Sequence, residues 1–295
     1  GMIRTSLGAS GIPIRRSKPT NGDKVFSAMS HIMLVTWTII VVLPLMWTFV
    51  SSFKSTSEIF SSPFSWPRKP HWDNFSNAWS EAHIGDYFLN TIVVVFSALA
   101  IVMILGAMCS YVLVRYRFRG NKIIYMLMLA GNTFPIFLAV VPLFFTLKNL
   151  ELTNTVTGLV VTYVAFALPF TVFFLYAFLK TLPLEVYEAA RIDGAGEWKI
   201  FFRVMLPMAK PGFASVAIFN FLGLWNQYLI PIAINSNEEN YVLSQGLASF
   251  ATKMGYEVDF GALFASVTLT VILVLVVYVI FQRQLQGSVS QGTMK

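Results

Sequence analysis

Charged residues are scarce in this 295-residue sequence, and cysteine is nearly absent. Only 12% of the residues are Asp, Glu, Lys or Arg, whereas soluble globular proteins carry about 25%. This scarcity of charge, together with 56% hydrophobic residues and 27 phenylalanines, excludes an ordinary soluble domain and predicts an integral membrane protein. The single cysteine, Cys109, excludes a disulfide within the chain.

Six apolar runs are long enough to cross a bilayer, which takes about 20 residues in a helix. They cover residues 32–50, 84–114, 123–147, 156–179, 208–234 and 261–281. The first run follows a basic tail, but no small-residue cleavage site follows it, so we interpret it as an uncleaved helix rather than a signal peptide. The sequence therefore predicts an all-α integral membrane protein with six transmembrane helices.

The distribution of Lys and Arg predicts that both termini are cytoplasmic. Five of these residues precede the first run, four lie at 115–122, five lie at 180–210 and two follow the last run, whereas the opposite side holds five. Cytoplasmic loops are enriched in Lys and Arg. The polar loop 183–207 is then cytoplasmic. Because the basic residues do not form a separate domain, the net charge of +7 does not indicate nucleic-acid binding.

This topology divides the chain into four parts. Residues 1–27 form a cytoplasmic tail, and residues 28–83 hold the first helix and an exterior loop. Residues 84–283 form the transmembrane core, which includes the loop 183–207, and residues 284–295 form a second tail.

The centres of the six runs contain no ionisable side chain. Carriers driven by ion gradients usually keep such residues in the membrane, so their absence argues against ion coupling, although carbonyl and hydroxyl groups alone can hold Na⁺. No His, Cys, Asp and Glu cluster has the spacing of metal ligands, and no phosphate-binding G-x-x-x-x-G-K-[ST] loop is present. We therefore expect no metal site and no ATP site in this chain. An intramembrane enzyme is also disfavoured, because no base lies near the membrane Ser and Thr residues.

Neutral polar and aromatic residues do occur within the runs. Amide and hydroxyl groups combined with aromatic rings suit an uncharged, polyhydroxylated solute such as a sugar, although amides can also join helices to one another. The candidate residues for a solute path are Asn132, Thr133, Tyr163, Asn220, Trp225, Asn226 and Gln227.

The loop 183–207 has the pattern of two short helices separated by a glycine bend. Pro183 suits a helix start, and residues 184–192 can form about two and a half turns. Glu188 and Arg191 have the spacing of a helical ion pair. Gly194 can adopt a positive φ without strain. A second helix is expected over 197–206, with Pro207 starting the next span.

This loop resembles the EAA loop of binding-protein-dependent ABC importer permeases, with the pattern EAA-x-x-D-G-A-x5-F-x4-L-P. All nine fixed positions are met, by Glu188, Ala189, Ala190, Asp193, Gly194, Ala195, Phe201, Leu206 and Pro207. The segments SSFKSTSEIF, DNFSNAW, FLNTI and WNQYLIPIAINSNEENYVLSQGLASF are similar to those of carbohydrate permeases. The resemblance spans about 32–283 and is strongest to the second permease of maltose-type importers.

The resemblance implies a type-1 ABC importer permease fold and a non-catalytic subunit. The partners it implies are a second permease, two ATPase subunits that bind ATP and Mg²⁺, and an exterior solute-binding protein. Glu188, Ala189, Ala190, Asp193, Gly194, Ala195, Leu206 and Pro207 would then couple the chain to the ATPase. The loop 235–260, which this topology places outside the cell, would contact the binding protein through Glu238, Glu239, Tyr241 and Tyr256. Alternatives are a permease for another uncharged or phosphorylated solute, such as a glycerol phosphate ester, or a secondary carrier.

Overall fold

The computed structural model describes residues 20–253 and 259–292, and the regular structure in these residues is entirely helical. The chain divides into two compact units, residues 1–50 and 51–295. The described residues of the first unit contain one long apolar helix, α1 (Asn21–Ser51), whose last residue belongs to the second unit.

The second unit contains the other helices. In chain order they are α2 (Thr56–Ser61), α3 (Asp73–Ser76), α4 (Ile84–Arg115), α5 (Asn121–Thr133), α6 (Ile136–Asn149), α7 (Val156–Lys180), α8 (Leu184–Ile192), α9 (Glu197–Ile200), α10 (Leu206–Met208), α11 (Lys210–Trp225), α12 (Leu229–Ile234), α13 (Leu243–Lys253) and α14 (Phe260–Gly292). Short π-helical segments follow α3 and α9, so that Glu197–Met208 is continuous.

Four of these helices are long and apolar enough to cross a membrane, namely α1, α4, α7 and the first part of α14. The predicted runs 84–114 and 156–179 agree with α4 and α7 to within one residue at each end. Two further spans result if each of two bent helix pairs is counted as one crossing. The described residues therefore contain four to six spans.

The third predicted run is not one straight helix. Its two halves, α5 and α6, meet at an angle of 106°. Pro135 stands at this break with an extended backbone and provides no N–H to continue the helix. Phe134 before it is also extended, as a residue preceding proline prefers.

The fifth predicted run is also broken. Glu197–Met208 meets α11 at 78°, and α11 begins at Lys210, so the prediction that Pro207 starts the next span was wrong. Pro211 occupies the first turn of α11, where its missing N–H costs no hydrogen bond. The run also ends early, because α11 stops at Trp225 and the chain continues into the separate helix α12.

The core of the second unit is formed where α4, α7 and α11 meet. A Cβ at Gly106 would collide with the side chain of Thr171, so a larger residue there would force α4 and α7 apart. Asn220 of α11 is buried and donates a hydrogen bond to Thr171 Oγ1 at 2.7 Å. In an apolar interior an unpaired amide is costly, so this bond fixes the position of α11 against α7.

The segment between α1 and α4 is folded rather than extended. Lys54 is fully buried, and its amino group donates to the carbonyl oxygens of Ser62 and Pro63 at 3.0 and 3.4 Å. Asn74 Nδ2 donates to the carbonyl oxygens of Ser52 and Lys54. These bonds join the beginning of the segment to its middle and to a residue near its end.

Candidate coupling site and solute path

The helix α8 covers the residues predicted for it, Leu184–Ile192, and Pro183 immediately precedes it. Its end is closed by two backbone hydrogen bonds, from Ala195 N–H to Ala190 O and from Gly194 N–H to Arg191 O, each of 3.0 Å. This pair is the Schellman motif, which places a residue of positive φ after the helix. Gly194 has φ of 78°, as predicted. The Asp-Gly-Ala part of the sequence pattern thus terminates the helix at a defined residue.

One face of α8 is exposed. Glu188, Ala189, Asp193 and Gly194 lie at the surface, whereas Ala190 and Ala195 are half-buried. Apolar side chains share the exposed face, and Ile192 is 85% exposed. Exposed apolar side chains of this kind mark a surface that binds another protein or a membrane.

The predicted pairing of Glu188 with Arg191 was wrong. Arg191 Nε instead lies 3.9 Å from Glu197 Oε1, beyond the glycine bend. The described residues provide no ion-pair partner for Glu188, which projects from an exposed part of the helix.

A set of tyrosine hydroxyl groups surrounds the carboxylate of Glu197. We call Glu197, Tyr111, Tyr116 and Tyr187 the Glu197 cluster. Tyr187 Oη donates to Glu197 at 3.1 and 3.3 Å, and Tyr111 Oη donates at 3.4 Å. Burial raises the pKa of Tyr116, and its hydrogen bond to Glu197 and the negative charge of that residue raise this pKa further. The Tyr116 hydroxyl therefore remains a donor at neutral pH.

Two guanidinium groups flank the cluster. The centres of the Arg115 and Arg191 guanidinium groups lie 5.5 and 5.9 Å from the centroid of the Tyr187 ring. Sequence reasoning did not identify the cluster, because its members come from α4, the residue after α4, α8 and α9. No local motif joins these positions, and only the fold brings them together.

After the bend, Glu197–Met208 leads back toward α11. Phe201 is buried, and its ring lies 5.1 Å from that of Tyr111. Trp198 and Phe202 are exposed, and their rings stack with centroids 6.1 Å apart. Leu206 is half-buried and Pro207 is exposed.

The seven candidate residues of the solute path fall into two groups. Tyr163, Asn220 and Trp225 are buried, with exposures of 1%, 5% and 6%. Trp225 packs its ring against Phe88 and Phe221. In this conformation these three side chains lie inside the packing of the second unit.

The other four candidates lie where helices break. Asn132 and Thr133 are exposed at the end of α5, just before the 106° bend. Asn226 is exposed and Gln227 half-exposed between α11 and α12. Broken helices at membrane depth occur where backbone lines a cavity or is covered by protein, so these four residues stand where a hydrophilic path could pass.

The loop between α12 and α13 is tied to the beginning of α4. Asn90 Nδ2 donates to the carbonyl oxygens of Glu239 and Tyr241 at 2.7 and 3.0 Å. Tyr87 Oη donates to Glu238 at 3.3 Å. The carboxylates of Glu238 and Glu239 remain exposed, and Tyr241 is half-buried. Tyr256, the fourth predicted contact of the binding protein, lies outside the described residues.

A cavity of about 720 Å³ opens beside this loop. It is lined by His83, Asp86, Tyr87, Leu89, Asn90, Glu238 and Glu239. Within residues 20–253 and 259–292, no three His, Cys, Asp or Glu side chains are grouped so that they could hold a metal ion.

Comparison with known proteins identifies the class to which this architecture belongs. Residues 102–291 match the model of the binding-protein-dependent transport system inner membrane component. The chain belongs to that family. As a permease of this family it is a non-catalytic inner-membrane component that works with a solute-binding protein.

Individual relatives cover nearly the whole chain. The diacetylchitobiose uptake system permease protein NgcG of Streptomyces coelicolor is 59% identical over 275 residues, which are 93% of this chain and 91% of that protein. The sn-glycerol-3-phosphate transport system permease protein UgpE of Yersinia pestis is 31% identical over 86% of this chain and 92% of its own length.

A solved structure shares the fold. A chain of a bacterial ABC transporter involved in the import of the acidic polysaccharide alginate superimposes with a TM-score of 0.79 over 90% of this permease and 99% of that chain. At 19% sequence identity this likeness shows the fold alone.

Proposed function

We propose that this permease forms half of the translocation pore of an ATP-driven importer for an uncharged acetamido disaccharide of the diacetylchitobiose type. The observation that carries the proposal is the 59% identity with a diacetylchitobiose permease over 93% of the chain. Such a solute presents hydroxyl and amide groups and no charge, so a pore needs neutral donors and acceptors to bind it.

The residues at the helix breaks fit this chemistry. Asn132, Thr133, Asn226 and Gln227 are neutral and accessible, and all four offer hydrogen-bonding groups. The predicted spans have no ionisable residue at their centres that would favour a charged solute. We propose these four as the part of the solute path that this chain contributes, with a second permease supplying the facing half.

We further propose that α8 docks into a cleft of an ATPase subunit. Glu188 would meet a basic group there, and Ala189 and Ala190 would permit close approach. The exposure of Glu188, its lack of an ion-pair partner among the described residues, and the 85% exposure of Ile192 support this assignment. ATP and Mg²⁺ would bind to the ATPase subunits, and their closure would move α8 in a rigid-body change between inward-open and outward-open states.

The proposed topology has six spans, with both termini and α8 in the cytoplasm. It is supported by the distribution of Lys and Arg and by the two bent helix pairs, which raise the number of possible crossings to six. The loop from Asn235 to Tyr241 would then face the exterior. Glu238, Glu239 and Tyr241 would contact the binding protein beside the cavity of about 720 Å³.

Uptake by the complete transporter tests the proposal. The complex is purified through a tag on this chain, which also identifies the partner subunits, and is reconstituted into vesicles with the binding protein. We expect uptake of radiolabelled diacetylchitobiose that requires both ATP and the binding protein. Uptake driven by an ion gradient without ATP would show instead that the chain is a secondary carrier.

A phosphorylated solute is the second candidate, because a glycerol-3-phosphate permease is also a relative. The same vesicles distinguish the two solutes when each is offered separately in labelled form. We expect ATP-dependent uptake of diacetylchitobiose and none of glycerol 3-phosphate. Uptake of glycerol 3-phosphate alone would replace the first candidate with the second.

A further inference from the structure

The helix α4 contacts both polar regions of the permease. It contains 32 residues, which corresponds to about 48 Å at 1.5 Å per residue. At its beginning, Asn90 and Tyr87 hold the loop that carries Glu238 and Glu239. At its end, Tyr111 donates to Glu197, just beyond the bend that follows α8. One continuous helix thus joins the proposed binding-protein surface to the proposed ATPase surface.

Two contacts connect α8 with α4: the Arg115 guanidinium group lies over the Tyr187 ring, and a chain of hydrogen bonds passes through Glu197. Tyr187 is the buried residue of α8, and its hydroxyl group binds both oxygens of Glu197. Glu197 in turn accepts from Tyr111 of α4. Hydrogen bonds to an ionised acceptor are stronger than bonds between neutral groups, so the carboxylate can hold α8 and α4 at a fixed separation while the other face of α8 stays exposed.

We infer that Glu197 is a positioning residue that transmits displacement of α8 to α4. This inference rests on the proposed function, because it assumes that an ATPase moves α8. Glu197 lies beyond the bend that follows α8. It acts on α8 through Tyr187 and Arg191, and on the end of α4 through Tyr111 and Tyr116. It is not among the nine fixed positions of the sequence pattern.

The first test measures coupling in the reconstituted complex as sugar imported per ATP hydrolysed. We expect Glu197→Ala to lower this ratio at least about fivefold, the lower end of typical coupling effects, with normal expression and assembly. Glu197→Gln, which keeps one acceptor oxygen, should retain an intermediate ratio. Lys199→Ala changes a neighbouring exposed residue and should leave the ratio unchanged. An unchanged ratio in Glu197→Ala, or equal loss of assembly and uptake, would overturn the inference.

The second test does not depend on transport. Spin labels at Glu185 of α8 and Val112 of α4, both exposed, report the separation of the two helices in the purified complex. We expect a narrow distance distribution that becomes broad in Glu197→Ala and stays narrow in Lys199→Ala. A narrow distribution in Glu197→Ala would contradict the inference. Absence of ATP-dependent uptake by the unmodified complex would refute the proposed function instead, and the spin-label result would still decide the positioning role.

Discussion

The two polar regions at the ends of α4 are held in different ways. The loop around Glu238–Asn240 is fixed mainly by neutral bonds to its backbone, such as those from Asn90 to two carbonyl oxygens. The helix α8 is held mainly through side chains, with Glu197 at the centre. Hydrogen bonds to the backbone suit a surface that binds a partner without changing shape. A few side-chain bonds beneath an exposed helix suit a part that moves.

The largest effect is expected at the exposed face of α8. Glu188→Ala should lower ATP-dependent uptake about 30-fold or more, since removing one member of a buried interface charge pair costs about 2–5 kcal/mol. Membrane insertion should be normal, because Glu188 makes no ion pair among the described residues. Uptake in vesicles and the amount of complex recovered are the measurements.

Glu185→Ala provides the comparison for this variant. It also removes an exposed carboxylate from α8, but not a fixed position of the pattern, so its effect should be smaller. Equal uptake by the two variants would mean that overall charge, rather than Glu188 itself, governs docking.

A substitution near the beginning of α4 should impair the response to the binding protein rather than the docking of the ATPase. Asn90→Leu leaves the carbonyl groups of Glu239 and Tyr241 without their donor, and each lost bond of this kind costs about 1 kcal/mol. We expect stimulation of ATP hydrolysis by the binding protein to fall about 30-fold, while hydrolysis without the binding protein is unchanged. A fall in both rates would show that the two ends of α4 are not separable in this way.

Two glycines around the bend form a matched pair. Gly194 has φ of 78° and Gly196 has φ of −71°, and a Cβ at either position meets no atom within 4 Å. Only at Gly194 would alanine be strained, by about 1 kcal/mol, so Gly194→Ala should lower uptake about fivefold and Gly196→Ala should have little effect. Equal activity of the two variants would mean that the geometry of the bend is unimportant for coupling.

The smallest effect is expected in the solute path. Asn226→Ala removes one exposed amide, and the loss of a single hydrogen bond to a solute costs about 1 kcal/mol. The concentration for half-maximal uptake should rise a few-fold, with the maximal rate unchanged. Asn220→Ala, which leaves Thr171 without its donor inside the core, should lower the melting temperature instead. If the concentration for half-maximal uptake rises in Asn220→Ala and not in Asn226→Ala, then Asn220 contacts the solute and Asn226 does not.

Features set by local physics could be predicted from the sequence. The bounds of α8, the positive φ of Gly194 and the near-complete extents of α4 and α7 follow from turn residues and hydrophobic length. The 106° angle between α5 and α6 could not be predicted from Pro135. A membrane helix can contain a proline and continue, as α7 does at Pro169.

Features that depend on distant contacts were missed. The Glu197 cluster joins residues up to 86 positions apart. The burial of Tyr163 and Asn220 depends on which faces of α7 and α11 meet other helices, and six similar apolar runs do not specify their packing partners. A polar residue in a membrane helix therefore predicts a contact but not whether that contact is with a solute or with another helix.

The two ends of α4 should serve different partners, an ATPase at α8 and a binding protein at the loop of Glu238–Asn240. Site-specific crosslinking in a Cys109→Ala background can detect both partners. Ala189→Cys should crosslink to the ATPase subunit and not to the binding protein, whereas Glu239→Cys should crosslink to the binding protein and not to the ATPase. Crosslinking of both positions to the same partner, or failure of an active Ala189→Cys complex to crosslink to the ATPase, would contradict the claim.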